Sequence, residues 1–533
     1  MIRNCHRATA ALTGIGILAL WPHACPAQAP AQVQAAQPAA AERNPPALAT
    51  LSRPTGRFGR TLGLPKDGKD LYIPDEDYIR FPLPPGAEAY ADVDALKIKS
   101  MMGEVTAISR KSRDDGNQYW GRIPGTTYDR MTQDWVMAQF KKLGLVDVRR
   151  QEIAMKPLWY PTAWAAEFTV DGRATALKSV FPITESRPTT GDGITAPVVW
   201  VGLGTAADFQ GRDVKGKTVM IYSLPTPGGR DHSADWSGAV RRANDAGAAI
   251  ILVEMGFPGN AQSEPEGAVG AAAPTVTITP DEANLIRDQL DQGRPVSFRL
   301  RLATEERTGL MTGNIWGVLP GASEEQILIM AHTDAFFEGA MDNASGLAMM
   351  LDIARHYAAI PQAQRPRTLV FLTTPDHHHG SEGIHWVRDN YDWSKVALTV
   401  NAEHPSQTLL YNLDAGVMTA NEVSARRWYV GGSDALRTLV RRTFREFGVA
   451  TYRKSEVSPG GELSQIYMKA PSFHIIDHVI YHTTLDTADL VPAWGIEAAT
   501  RAFLKIIDNV NTMTRQEIAA APADLADPTR PVR

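Results

Sequence analysis

Between residues 323 and 476 short apolar runs alternate with helix-length amphipathic ones. They are QILIMAH (326–332), SGLAMMLDIARHYA (345–358), RTLVFLTT (367–374), SEGIHWVRDN (381–390), KVALTVNAE (395–403) and PSFHIID (471–477). Runs this apolar leave no polar face for solvent, so the strands they form need cover on both sides. Strand and helix in alternation predict a three-layer α/β/α domain around a mostly parallel sheet. Such sheets bind ligands in the crevice outside the carboxyl ends of their strands.

Those ends carry the chemistry. Ten of the thirteen histidines fall between His332 and His482. His332 and Asp334 directly follow QILIMA, His377 and His378 follow VFLTT, Glu403 follows VALTVN, and His482 lies beyond PSFHIID. Imidazoles and carboxylates converging at one sheet edge suit zinc or a similar borderline cation. Asp342 stands before a helix whose apolar face is Leu347, Met350, Leu351 and Ala354. It reads as an N-cap accepting amide hydrogen bonds, or as a ligand whose two oxygens bridge two cations. His356 and His385 sit within helices and read as packing or surface groups, while His379, His474 and His478 stay between the two readings. His404 stays between them too, since directly after Glu403 strand alternation would turn it to the opposite face.

Upstream the chain changes character. Residues 2–7 carry Arg3 and Arg7 and no acid, residues 8–21 are almost wholly apolar, and Ala27-Gln28-Ala29 fits a small-x-small cleavage site. This order predicts a secretory signal over 1–29 and a periplasmic or extracellular protein. The alternative is a lipid anchor on Cys25. Loss of the signal removes both cysteines, so the mature chain has no disulfides. It also moves the net charge from −5 to −7. That balance supplies no basic field for nucleic acid, and no later stretch is apolar enough for a transmembrane span.

Residues 30–88 read as an Ala/Pro-rich tether and extension, and GTTYDRMTQDWVMAQFKKLGL as an amphipathic helix stopped at Gly144. From 193 to 305 short strands dominate (APVVWVGLG, GKTVMIYSL, AAIILVEMG, VSFRLRLA), which predicts an inserted domain. The catalytic domain is then discontinuous, 89–192 and 306–515, with a tail from 516 to 533.

AHTDAFFEGAMDNASG (331–346) resembles the signature of the di-zinc exopeptidases of clan MH, which include bacterial leucyl aminopeptidases and glutamate carboxypeptidase. GRIPGTTYDR (121–130) is similar to that family's GR-x-x-GT helix entry, YHTTLDT (481–487) to its closing YHT-x-x-DT, and the insert to its protease-associated domain. The likeness covers about residues 90–515. It implies two zinc ions, with His332 on one, Asp342 bridging both, Glu403 completing the first and His482 on the second. Asp334 would sit behind His332 and fix its tautomer.

The family's two adjacent glutamates, general base and second-metal ligand, have no counterpart in PDHHHGSEG (375–383). Aligning Gly380 and Gly383 puts His377 at the base and His378 at the ligand position. A one-residue slip puts Asp376 at the base and His377 at the ligand, and the site without any hydrolytic base is the third option. Imidazole ligates zinc well and accepts protons near neutrality.

The resemblance therefore implies an exported metal-dependent exopeptidase, aminopeptidase-like, cleaving a peptide or small amide through metal-bound hydroxide. The Trp-rich segment PLWYPTAWAAEF (157–168) is placed to shape access. The alternatives are an amidohydrolase on a non-peptide substrate and a silent relative that binds peptide or metal.

Overall fold

The computed structural model describes residues 83–223, 236–257, 260–265, 270–410, 418–454, 459–476, 480 and 482–520. The expected signal and Cys25, most of the tether, His478 and Tyr481 lie outside them. No helix among the described residues is long and apolar enough to cross a membrane.

Two eight-stranded sheets organise the chain, with a small hairpin beside them. Strand β1 (Val146–Ala154) is followed by eight strands of the second sheet: β2 (Leu158–Val170), β3 (Arg173–Leu177), β4 (Phe181–Pro182), β5 (Ile194–Trp200), β6 (Thr218–Ser223), β7 (Ile250–Met255), β8 (Thr275–Ile278) and β9 (Val296–Arg307). The first sheet resumes with β10 (Met311–Leu319), β11 (Ser323–His332), β12 (Arg367–Thr374) and β13 (Val396–Asn401). After the hairpin β14 (Thr408–Leu410) and β15 (Met418–Val423), it ends with β16 (Arg426–Gly431), β17 (Thr451–Lys454) and β18 (Ser472–Ile476).

The first sheet runs β1-β10-β12-β11-β13-β18-β16-β17. Its centre, β12-β11-β13-β18, is parallel, and β1, β10 and β16 join antiparallel. Helices α1 (Ala95–Asp114), α2 (Thr127–Lys142), α3 (Trp236–Asp245), α4 (Pro280–Asp291), α5 (Gly346–Ala358), α6 (Glu382–Asn390), α7 (Asp434–Glu446) and α8 (Ala493–Val510) complete the main elements. The pleat of β11 divides its side chains. Ile327 and Ile329 pack with Leu347 and Met350 of α5 and Phe503 of α8, while Leu328 and Met330 pack with Ile384 and Val387 of α6. This is the doubly covered sheet that the apolar runs predict.

The second sheet interrupts the first between β1 and β10, which are paired neighbours. It starts at Leu158, whereas the sequence reading places 158–192 with the catalytic domain. The difference arises from β2, which pairs with β9 along its whole length and bulges between Pro161 and Ala163. A proline inside a run argues against a strand unless a bulge absorbs it. The expected tail also begins with helical residues Arg515–Ala519, where Ile518 is buried.

Gly346 opens α5 where it meets the end of β13. A Cβ there would collide with the Asn343 side chain and the Ala402 carbonyl oxygen. Gly346→Ala is expected to cost about 1–3 kcal/mol by overpacking and to lower metal content by displacing residues 342–345. Thermal melts and elemental analysis check it, and a wild-type melting point would show that the contact is slack.

Candidate metal centre

The centre forms where the parallel strands end. His332 is the last residue of β11, Asp334 lies two beyond it, residues 375–381 follow β12, and Glu403 and His404 follow β13. Asp342 does not cap α5, which begins four residues later at Gly346. Its backbone amide and that of Met341 donate to the Asp486 carboxylate, at 3.1 and 2.6 Å, and its own carboxylate turns into the protein.

The two oxygens of Asp342 face two different groups. Oδ1 lies 3.1 Å from His332 Nε2 and 2.9 Å from His404 Nε2, with Glu403 Oε1 4.0 and 3.8 Å from those nitrogens. Oδ2 lies 3.2 Å from His378 Nε2 and 3.3 Å from His482 Nε2, which are 3.4 Å apart. His332 Nδ1 sits 3.3 Å from Asp334 Oδ1, and the other oxygen of Asp334 accepts from the His378 amide at 3.0 Å. Asp334 thus holds two strand ends in register at once.

His332, Asp334, Asp342, Glu403, His404 and His482 are all at least 98% buried. His332 Nε2 and Asp342 Oδ2 have no hydrogen-bond partner. Buried polar atoms of this kind need a compensating group. A cation would supply it, and ligand atoms lie within 4.8 Å of one another in Asp342–His378–His482 and in Asp342–Glu403–His404.

The electrostatics agree. Burial raises the carboxyls of Asp334 and Asp342, but His378 and His332 beside them hold both well below the usual range. Burial lowers His332, and its contacts with Asp334 and Asp342 outweigh it, holding the ring well above the ordinary value. Burial and His482 push His378 down to about 4, whereas Asp342 and Glu264 overcome burial to raise His482 to about 9. The carboxylates are ionised and their pocket favours positive charge.

His377 lies beside the cluster, its ring centroid 4.6 Å from that of His332 and its Nδ1 3.6 Å from Oε2 of Glu462. Against the effect of burial, Glu462 raises His377 to about 9. Asp376 is elsewhere. Its two oxygens accept from the amides of Glu382 and Gly383, at 2.9 and 3.2 Å, so it caps the first turn of α6. Burial and the neighbouring Glu382 hold its carboxyl well above the usual range. The register that makes Asp376 the base is therefore not the one the structure assembles.

Two residues of the centre, Glu462 and Glu264, escape the sequence reading, and His404, which it leaves undecided, joins the centre. His404 is turned inward because β13 ends at Asn401 and His404 has φ 47°, so strand alternation no longer governs it. Glu462 arrives on the chain after Gly461, where φ is 54° and a Cβ would strike Glu403. Glu264 comes from the second sheet's side, with Oε2 3.6 Å from His482 Nδ1. Among the described residues the other histidines engage further partners: His356 Asp92, His385 Gln465, His379 Tyr119 with Asp334 3.9 Å away, and His474 the Pro459 carbonyl oxygen.

Residues 314–507 match the family model of Peptidase family M28. Aminopeptidase YwaD of Bacillus subtilis (strain 168) is 25% identical over 256 residues, which are 47% of this chain and 50% of that protein. The chain thus aligns with half the length of that curated relative. Two solved structures share the fold at 18% identity over 80% of this chain. They are BSAP, a zinc aminopeptidase from Bacillus subtilis, covered to 98% with a TM-score of 0.57, and a Peptidase M28 precursor from Shewanella amazonensis SB2B, covered to 96% with a TM-score of 0.61. The clan MH resemblance of the motifs and the M28 match coincide on the strands that build this centre.

Asp376→Asn is expected to keep the wild-type metal content per chain, and Asp376→Ala to keep it while losing about 1 kcal/mol of stability with the α6 cap. Elemental analysis and thermal melts check both. Metal loss from the Asn variant would return Asp376 to the centre.

Proposed function

We propose that the chain is an exported zinc-dependent exopeptidase of the aminopeptidase type, and that residues 158–307 are its protease-associated-like insert. The observation that carries this reading is Asp342, a buried carboxylate with one oxygen toward His332, His404 and Glu403 and the other toward His378 and His482. Two cations fit that division. His332, Glu403 and His404 would hold the first, His378 and His482 the second, and Asp342 both.

Zinc at these positions supplies Lewis acidity toward an amide carbonyl and lowers the pKa of water. The protein's own part is proton handling and orientation. His377 is 12% exposed, the most accessible side chain of the group, and in its neutral form, which cations beside His332 would favour against the pull of Glu462, takes the proton of the attacking water. Glu462 beside Nδ1 favours the tautomer with its proton there and leaves Nε2 to accept. The leaving amine then collects that proton from the same nitrogen. Glu462 is itself pinned by the Thr374 hydroxyl at the end of β12. Asp334 keeps His332 presenting Nε2 inward. A histidine–carboxylate pair thus stands where the family places a glutamate. The basic and then apolar start of the sequence supports export.

Protein purified without chelator or added metal is expected to hold about two zinc ions per chain. It should cleave aminoacyl amides with a free amino group, spare their N-blocked counterparts, and lose activity to a chelator. His377→Ala should lower kcat about 10²- to 10⁴-fold at unchanged metal content, and full activity in that variant would remove it as the base. Equal cleavage of blocked substrates would point to a non-peptide amidohydrolase. A zinc-loaded protein inert to the whole panel would be the silent relative.

A further inference from the structure

The segment 260–265 leaves the second sheet and runs alongside the loop that carries His482. Glu264 N donates to the His482 carbonyl oxygen at 2.9 Å, Thr484 N to the Gln262 carbonyl oxygen at 2.9 Å, and Gln262 N to the Thr484 hydroxyl at 3.1 Å. Ser263 and Thr483 form an antiparallel bridge between them. Two short stretches, more than 200 residues apart in sequence, are thereby zipped together around a ligand histidine. His482 has φ 51°, a left-handed conformation that a non-glycine residue holds only when its surroundings impose it.

Glu264 is fully buried. Its Oε1 accepts from the amide and the hydroxyl of Thr184, at 3.0 and 2.5 Å. Its Oε2 accepts no hydrogen bond and lies 3.6 Å from His482 Nδ1. A purely structural carboxylate would not be aimed with one oxygen bare at an imidazole, because a buried charge without a partner costs several kcal/mol. Phe336 closes the other side of the ring, 4.7 Å between centroids at 68°. The imidazole is left with Nε2 toward Asp342 and Nδ1 toward Glu264.

We propose that Glu264 is a positioning residue for His482, through which the second sheet's domain sets the affinity of the second metal position. A histidine that ligates through Nε2 carries its proton on Nδ1, and a carboxylate facing Nδ1 fixes that tautomer and strengthens the ligand. The first position has the same device from the loop that follows its own strand, Asp334 behind His332. The second position takes it from another domain. This assignment rests on the two-metal reading above, with Asp342, His378 and His482 as the second set.

Chelator competition with zinc on the full-length wild type, Glu264→Ala and Glu264→Gln tests it. The wild type is expected to show two zinc ions of measurable affinity. Glu264→Ala should weaken one of them about 10- to 100-fold and leave the other unchanged, with the metal-free protein melting as the wild type does. Glu264→Gln, whose amide oxygen can still accept from Nδ1–H, should recover most of that loss. If the Ala protein does not fold, Glu264→Leu, of similar volume and without an acceptor for Nδ1–H, takes its place and should show the same selective loss. A wild type that binds two ions, with both variants retaining both affinities within twofold, overturns the proposal and leaves the two-metal reading standing. Equal loss of both ions together with a lower melting point of the metal-free protein makes Glu264 structural only and overturns it as well. A wild type that binds fewer than two ions overturns the two-metal reading, and this assignment with it.

Discussion

Everything near the sheet edge is arranged around one buried carboxylate. Asp342 is almost completely shielded from water, held ionised by the histidines beside it, and offers each oxygen to a different set of nitrogens. A charge in that position is stable only if positive charge meets it, from protonated imidazoles or from cations. The rest of the local architecture keeps the balance: Asp486 holds the Met341 and Asp342 amides, and Arg122 fixes the preceding turn by donating to the carbonyl oxygens of Glu338 and Gly339. Gly346 lets α5 approach the end of β13. The sheet supplies rigidity and the loops supply ligands, a division of labour general to α/β folds.

Much of this is written locally. A parallel strand buried on both faces is a continuous apolar run, and the first polar residues after it must lie at the sheet's carboxyl edge. For that reason His332, Asp334, His378 and Glu403 are found from the text alone, and the same logic sets His377 beside them. Asp342 is legible through its motif, but its capping role is not what the backbone adopts, since α5 starts only at Gly346. His404 stays undecided in the text because strand alternation would turn it away from Glu403, yet β13 already ends at Asn401 and alternation no longer applies. Glu462 and Glu264 are not legible at all. Neither neighbours a ligand in sequence, and only the folded chain brings them to His377 and His482. The boundary at residue 158 is hidden in the same way, since β2 finds its partner β9 far along the chain and carries a proline at its bulge.

On the proposed reading, two histidines in place of a glutamate pair would change the charge of the centre more than its shape. His378 meets the same carboxylate oxygen as His482 without adding negative charge. The deficit is partly restored by Glu264 and Glu462, each fully buried and each facing the second nitrogen of an imidazole. On that reading negative charge lies one atom layer outward, with Glu264 behind the ligand His482 and Glu462 behind the base His377. Such a centre would hold its second cation less by direct attraction and more through the basicity of its ligands.

The placement of the second sheet between β1 and β10 bears on how the molecule is built. These two strands are antiparallel neighbours in the first sheet, yet the whole of 158–307 separates them in sequence. Closing a flexible loop of that size costs on the order of 4 kcal/mol in chain entropy. If β2 and β9 have already paired, the ends of the intervening segment are held close together and the cost largely disappears. Chain entropy therefore favours an order of assembly in which the inserted sheet forms before the β1–β10 edge closes. The contact of Gln262–Glu264 with His482–Thr484 joins segments still farther apart, so the same chain-entropy argument sets its closure after both sheets have formed.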